Sequence, residues 1–183
     1  MNNLDRYMAI RPTLNTFDLL QYAGTNAASY EIMRAMKTNR SHSGVVFRMR
    51  SYDTERLWTI ESIGEGLVLR SLSSVLANYH GECYVHRMNG WCKVFNMTAA
   101  AWLLERVDKV EYDWTGCISH WRKLFGMNPR MAREDRLWCT EAVFLALRDG
   151  ARVPSMQGLD YAPVPGEPML NLGLWDFEGT ELI

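Results

Sequence analysis

An α+β fold with a mostly antiparallel sheet follows from two observations in this 183-residue chain. In the first half, β-branched and aromatic segments alternate with polar spacers of turn length, which is the spacing of antiparallel hairpins. Near residue 140 an unbroken apolar run, Ala142 to Leu147, is stopped by Gly150. A helix apolar all round is buried in a larger core, so this one belongs inside, against the sheet. Its N-terminal tip is then the one place where polar chemistry can show, and the residue there is Cys139.

Residues 1 to 16 offer little periodicity, and Pro12 argues against a helix running through them. Phe17 to Tyr22 reads as a strand entering a Gly24-Thr25-Asn26 turn, and Ser29 to Lys37 as a helix with Ser29 as candidate N-cap. Ser41 to Arg50 is a strand with a β-branched and aromatic centre. The polar turn Ser51 to Arg56 leads from it into a further strand, Leu57 to Ser62. This hairpin spacing brings Glu61 opposite or within a few residues of His42. Leu67 to Arg70 and Glu82 to Arg87 are further strands, with a turn-like stretch from Asn78 to Gly81 between them. Thr98 caps a helix from Ala99 to Val107, whose three alanines and two leucines favour it intrinsically. Tyr112 to Gly116 reads as a loop, and a second helix around Ile118 to Phe125 ends at Gly126 to Pro129. The four prolines between Val153 and Leu174 argue against regular structure, while Leu159, Tyr161, Leu172, Leu174 and Trp175 predict that the tail packs across the body. The chain thus reads as one domain, 1–183, with 151–183 as a Pro/Gly-rich C-terminal extension.

Twenty basic against twenty-one acidic residues, a formal net charge of −1, give no global electrostatic case for nucleic acid or an anionic membrane. No basic n-region with an apolar h-region opens the chain, and no apolar run approaches the roughly 18 residues of a membrane span. A cytoplasmic protein without stable membrane insertion is the expectation. The four cysteines, Cys83, Cys92, Cys117 and Cys139, are then expected as free thiols. Glycine-rich phosphate loops are missing, so a nucleotide enzyme has no support.

Two constellations carry chemistry. A thiol at a helix N-terminus meets unpaired N–H groups and the positive end of the helix dipole, which favour a thiolate nucleophile; a buried structural cysteine is the other reading of Cys139. Of the four histidines, His42 is the best-placed base, at the start of a strand with Glu61 as a candidate orienting carboxylate. His80, His86 and His120 read as hydrogen-bonded structural residues. A thiol, an imidazole and a carboxylate form the set needed for acyl transfer through a thioester. The rival set is His80, Cys83, His86 and Cys92, ligand types suited to zinc. Strand alternation would put Cys83 and His86 on opposite faces, and the spacing matches no paired zinc knuckle, so no metal and no cofactor is expected.

Phe17-Asp18-Leu19-Leu20, Ser41-His42-Ser43-Gly44-Val45-Val46, Ile60-Glu61, Tyr112-Asp113-Trp114 and Trp138-Cys139-Thr140-Glu141-Ala142-Val143, in that order, resemble the circularly permuted papain-like enzymes of the NlpC/P60 superfamily, in particular the YiiX-like group. The resemblance spans roughly residues 17 to 147. It implies a permuted papain-like fold, with a central antiparallel sheet packed against a buried helix carrying the nucleophile. It assigns Cys139 as nucleophile, His42 as general base and Glu61 as the orienting third member. Tyr112, Asp18 and Thr140 become oxyanion or substrate-binding candidates. Two departures stand out: Thr140 replaces a serine, and Thr16-Phe17 stands where a glycine usually precedes Asp-Leu.

The implied function is a cysteine hydrolase, an amidase or peptidase with a Cys-His-Glu triad. Its substrate would be a small peptide or amide, such as a cell-wall peptide or an acylated amine. The reading from another class is a non-catalytic binding or structural module that keeps the fold.

Overall fold

The structure is a computed structural model that describes residues 3–117, 135–160 and 162–183. Its centre is a six-stranded sheet with every pair antiparallel, ordered β4-β3-β2-β1-β5-β8. The strands are β1 (Leu19–Gly24), β2 (His42–Ser51), β3 (Thr54–Ile63), β4 (Gly66–Ser71), β5 (Gly81–His86) and β8 (Thr180–Glu181). A parallel pair of two-residue strands, β6 (Glu111–Tyr112) and β7 (Arg136–Leu137), stands apart from the main sheet. The expected antiparallel sheet is present, and β2 and β3 form a tighter hairpin than the expected Ser51 to Arg56 turn.

Alternation along the strands divides the interior in two. Leu19, Val45 and Ile60 face a large core that holds α5 (Cys139–Leu145), whose seven residues are all buried. Leu20, Tyr22, Val46 and Leu57 face a smaller core on the opposite side. That side is covered by α1 (Asn3–Ile10) and α3 (Leu72–Asn78). The predicted central helix is thus present and buried, and it passes without a break into a π-helical turn from Ala146 to Gly150. That turn packs on α4 (Asn96–Leu104).

Several boundaries differ from expectation for local reasons. The chain does form a helix near its start, α1, which ends one residue before a 3-10 turn containing Pro12. In α2 (Ala27–Met36) the N-cap is Asn26, whose side-chain oxygen accepts from the Ser29 amide at 2.8 Å, so Ser29 lies inside the first turn. The Asn78 to Gly81 turn is preceded by α3, whose Leu72, Val75 and Leu76 recur at helical spacing. Tyr112 lies in β6 instead of a loop. The predicted helix around Ile118 to Phe125, with His120, falls outside the described residues, as does Tyr161.

In the C-terminal segment Leu174 and Trp175 are buried, while Leu159 is exposed. It carries a short α6 (Glu167–Leu170) and ends by adding β8 to the edge of β5. Trp175 donates its indole N–H to the Phe17 carbonyl at 3.0 Å, which ties the tail to the entry of β1.

Asp18 is the other fixture at that entry. Its carboxylate is buried and accepts from the Asn15 amide at 2.8 Å, the Met88 amide at 3.1 Å and the Arg87 guanidinium at 2.9 Å. Removing one partner of a buried pair strands the other charge, at a cost of about 3–5 kcal/mol. Asp18→Ala is therefore expected to lower unfolding free energy by about 3 kcal/mol, read as a shift of the urea midpoint at unchanged m-value.

Candidate active site

The register of the β2–β3 hairpin sets the site. Gly44 is the Cα partner of Glu61, and His42, two residues along, shares their face. A Cβ on Gly44 would lie 3.1 Å from Glu61 Cβ and 3.0 Å from Thr59 Oγ1, so glycine there leaves the room that Glu61 occupies. The His42 Nε2 and Glu61 Oε2 atoms are 2.8 Å apart. The second carboxylate oxygen, Oε1, is buried with no hydrogen-bond partner among the described residues, and the Arg70 guanidinium lies 3.7 Å from it.

The ring also packs against Tyr22, with centroids 5.4 Å apart, and meets the Cys139 thiol. Burial disfavours charge on His42, but hydrogen bonds to Cys139 and Glu61, reinforced by nearby negative charge, override it and push the imidazole up to about 10. Cys139 is the first residue of α5, where the amides have no acceptor within the helix. Glu61 and Cys139 thus both act on the His42 ring, the carboxylate through its bond to Nε2.

Tyr112 borders the same centre. Burial raises its hydroxyl well above the ordinary value, followed by the charges of Cys139 and Cys117, and it hydrogen-bonds to Cys117. Its ring packs against Trp114 with centroids 4.6 Å apart. A groove of about 320 Å³ opens beside the hairpin, with His42, Glu61, Arg70, Tyr112 and Trp114 among its walls. Cys139 is 4% exposed and is not among those walls.

Two of the site candidates stand elsewhere. Asp18 does not line the groove; among the described residues its carboxylate bonds to Asn15, Arg87 and Met88 in the clasp described above. Thr140 follows the cysteine but is fully buried, and its hydroxyl has no hydrogen-bond partner among the described residues, so it presents nothing to the groove. The alternative zinc set is also dispersed. His86 bonds to the Asp176 carbonyl, and no group of three or more His, Cys, Asp or Glu side chains among the described residues is placed to hold a metal. All four cysteines are free and buried.

Three participants were not read from the sequence: Arg70, Cys117 and Glu141. The signal for Glu141 is its place at the third helical position, from which its carboxylate reaches back to accept from the Trp138 amide at 3.3 Å. Burial raises Glu141 up to about 7, against the lowering effect of the Trp138 bond, and the charge of Asp113 adds to the rise. Asp113 is itself buried, its carboxylate accepting from Thr115 and Gly116.

No family model matches the sequence, and no curated protein matches it. Among solved structures, the chain is similar to the crystal structure described as metalloprotein yiiX from Escherichia coli O157:H7, with a TM-score of 0.62 at 16% identity. The match covers 89% of this chain and 95% of that one. No described helix is long and apolar enough to cross a membrane.

Two outcomes follow from these protonation equilibria. Glu61→Gln removes the charge that helps hold the proton on His42, so the imidazole is expected to titrate below about 10, measured by NMR of the ring protons. Glu141 keeps its proton in the folded state up to about pH 7, whereas the unfolded chain releases it near 4.5. At this site the folded state therefore binds more protons between those values, and the Glu141 contribution to stability falls as pH rises from 4.5 to 7. Glu141→Gln is expected to flatten that slope in urea titrations across the window. Over the part that the match covers, the chain has a YiiX-like fold.

Proposed function

We propose that the chain is a cysteine hydrolase of amide or peptide-type bonds, built on a permuted papain-like fold of the NlpC/P60 type. The observation that carries the reading is the 2.8 Å contact of His42 Nε2 with the Glu61 carboxylate on an imidazole whose protonation also responds to Cys139. In this mechanism His42 takes the proton of the Cys139 thiol, the thiolate sulfur attacks the carbonyl carbon, and the tetrahedral oxyanion is met by the amides of the α5 N-terminus, which have no acceptor within the helix. His42, then an imidazolium, gives that proton to the leaving amine as the C–N bond breaks. It then takes a proton from the water that cleaves the thioester, and Glu61 stabilises the charged ring throughout. Tyr112 would donate to the same oxyanion after exchanging its bond to Cys117.

The second reading, a non-catalytic module, draws on the low exposure of Cys139. Thiol labelling separates the two. Burial holds the Cys92 and Cys117 thiols up at about 11 and about 12 and raises Cys83 as well, so all three stay protonated at neutral pH. Iodoacetamide at pH 7 followed by peptide mass spectrometry is expected to modify Cys139 at least tenfold faster than any of them, and His42→Ala is expected to remove the preference. Equal labelling of all four cysteines in the folded wild type would sink the hydrolase reading. So would undiminished turnover by Cys139→Ala of any amide that the wild type cleaves.

A further inference from the structure

A second groove, of about 520 Å³, lies at the other end of α3, between that helix, α1 and the middle of β3. Nothing in the proposed hydrolysis uses it. Its volume is within the range of small-molecule sites, and its walls divide by chemistry. Leu4 and Met8 on α1 are about half exposed on one side, with the buried Leu57 below them. Arg11, Arg56 and the hydroxyls of Ser71 and Ser73 supply the polar side, and no carboxylate lines the groove among the described residues.

The two guanidinium groups differ in what they are free to do. Arg11 is anchored, donating to the Glu55 carbonyl at 2.5 Å. Arg56 is exposed and has no hydrogen-bond or ion-pair partner among the described residues. The nearest acid along the strand, Glu55, is taken by Arg48 and Arg50. An unpaired guanidinium at the edge of an apolar slot, with a second cation and two hydroxyls beside it, selects a negative head joined to a short apolar body. A cationic ligand would meet two like charges, and a neutral one would leave Arg56 unanswered.

We infer that this groove binds a single-chain amphipathic anion, its acidic head on Arg56 and its hydrocarbon tail along Leu4, Met8 and Leu57. The test is calorimetric titration of the full chain with decanoate, against acetate as the head alone and octyl glucoside as a neutral amphiphile. Decanoate is expected to bind one to one, with the other two at least about tenfold weaker, the scale of one charge-assisted hydrogen bond. Arg56→Gln is expected to weaken decanoate about tenfold, while Arg56→Lys retains part of the affinity. Met8→Ser is expected to weaken decanoate and leave acetate unchanged. Arg56 and Met8 are both exposed, so these variants are expected to unfold at the wild-type temperature. Equal binding of octyl glucoside, an unchanged affinity in Arg56→Gln, or no decanoate binding at millimolar concentration would overturn the inference.

Discussion

The contact between His42 and Glu61 depends on hairpin register more than on either side chain. Because Gly44 faces Glu61 across the β2–β3 ladder, the imidazole two residues away falls on the same face and within a hydrogen bond of the carboxylate. A slip of one residue would send Glu61 to the face of Ile60 and bury it in the larger core. That slip is opposed from both sides of the sheet. Val45 and Ile60 are packed against the core of α5, while Val46 and Leu57 are packed beneath α1 and α3. The hydrophobic pattern that makes the sheet two-sided also fixes the polar pair at its end.

That arrangement explains which parts were legible in the sequence. The His42–Glu61 pair could be read because a hairpin is local: its partners are set by turn length and alternation. The burial of α5 was legible because Ala142 to Leu147 leaves no polar face. Asp18 and Thr140 were placed by resemblance; the structure holds the Asp18 carboxylate on the Asn15 and Met88 amides and buries Thr140 completely. What decides such cases is the third dimension: whether an acceptor's lone pairs are already taken. The Asp18 partners lie as far as residue 88, and no spacing rule reaches that distance.

The missed elements have a common cause. In α1 only Tyr7 is buried, so its apolar face carries almost no periodic signal. In α3 the spacing of Leu72, Val75 and Leu76 is regular, but the helix is only seven residues long and follows β4 with no intervening turn, so no stop signal marks where it begins. The strand β8 is two residues long and exists because the edge of β5 offers unpaired groups to the returning tail, which the Leu182 amide and the Ile183 carbonyl also meet at Cys83. Each of these elements is defined by what it lies against.

The protonation pattern around α5 runs in opposite directions at neighbouring groups. Burial works against charge on both His42 and Glu141, yet His42 is driven toward its charged form and Glu141 toward its neutral one. The difference lies in company. His42 has a carboxylate and a thiol in direct contact, while the nearest charge raising Glu141 is another acid, Asp113. A carboxyl that stays protonated near neutral pH adds no full negative charge beside Cys139, so it does not compete with the thiol for the stabilisation that the imidazolium provides. The bond from the Trp138 amide then holds the first turn of α5 without adding a full negative charge there. Helix capping and the charge beside Cys139 are in this way set by the same side chain, which ties the geometry of the first turn to the pH range over which Glu141 keeps its proton.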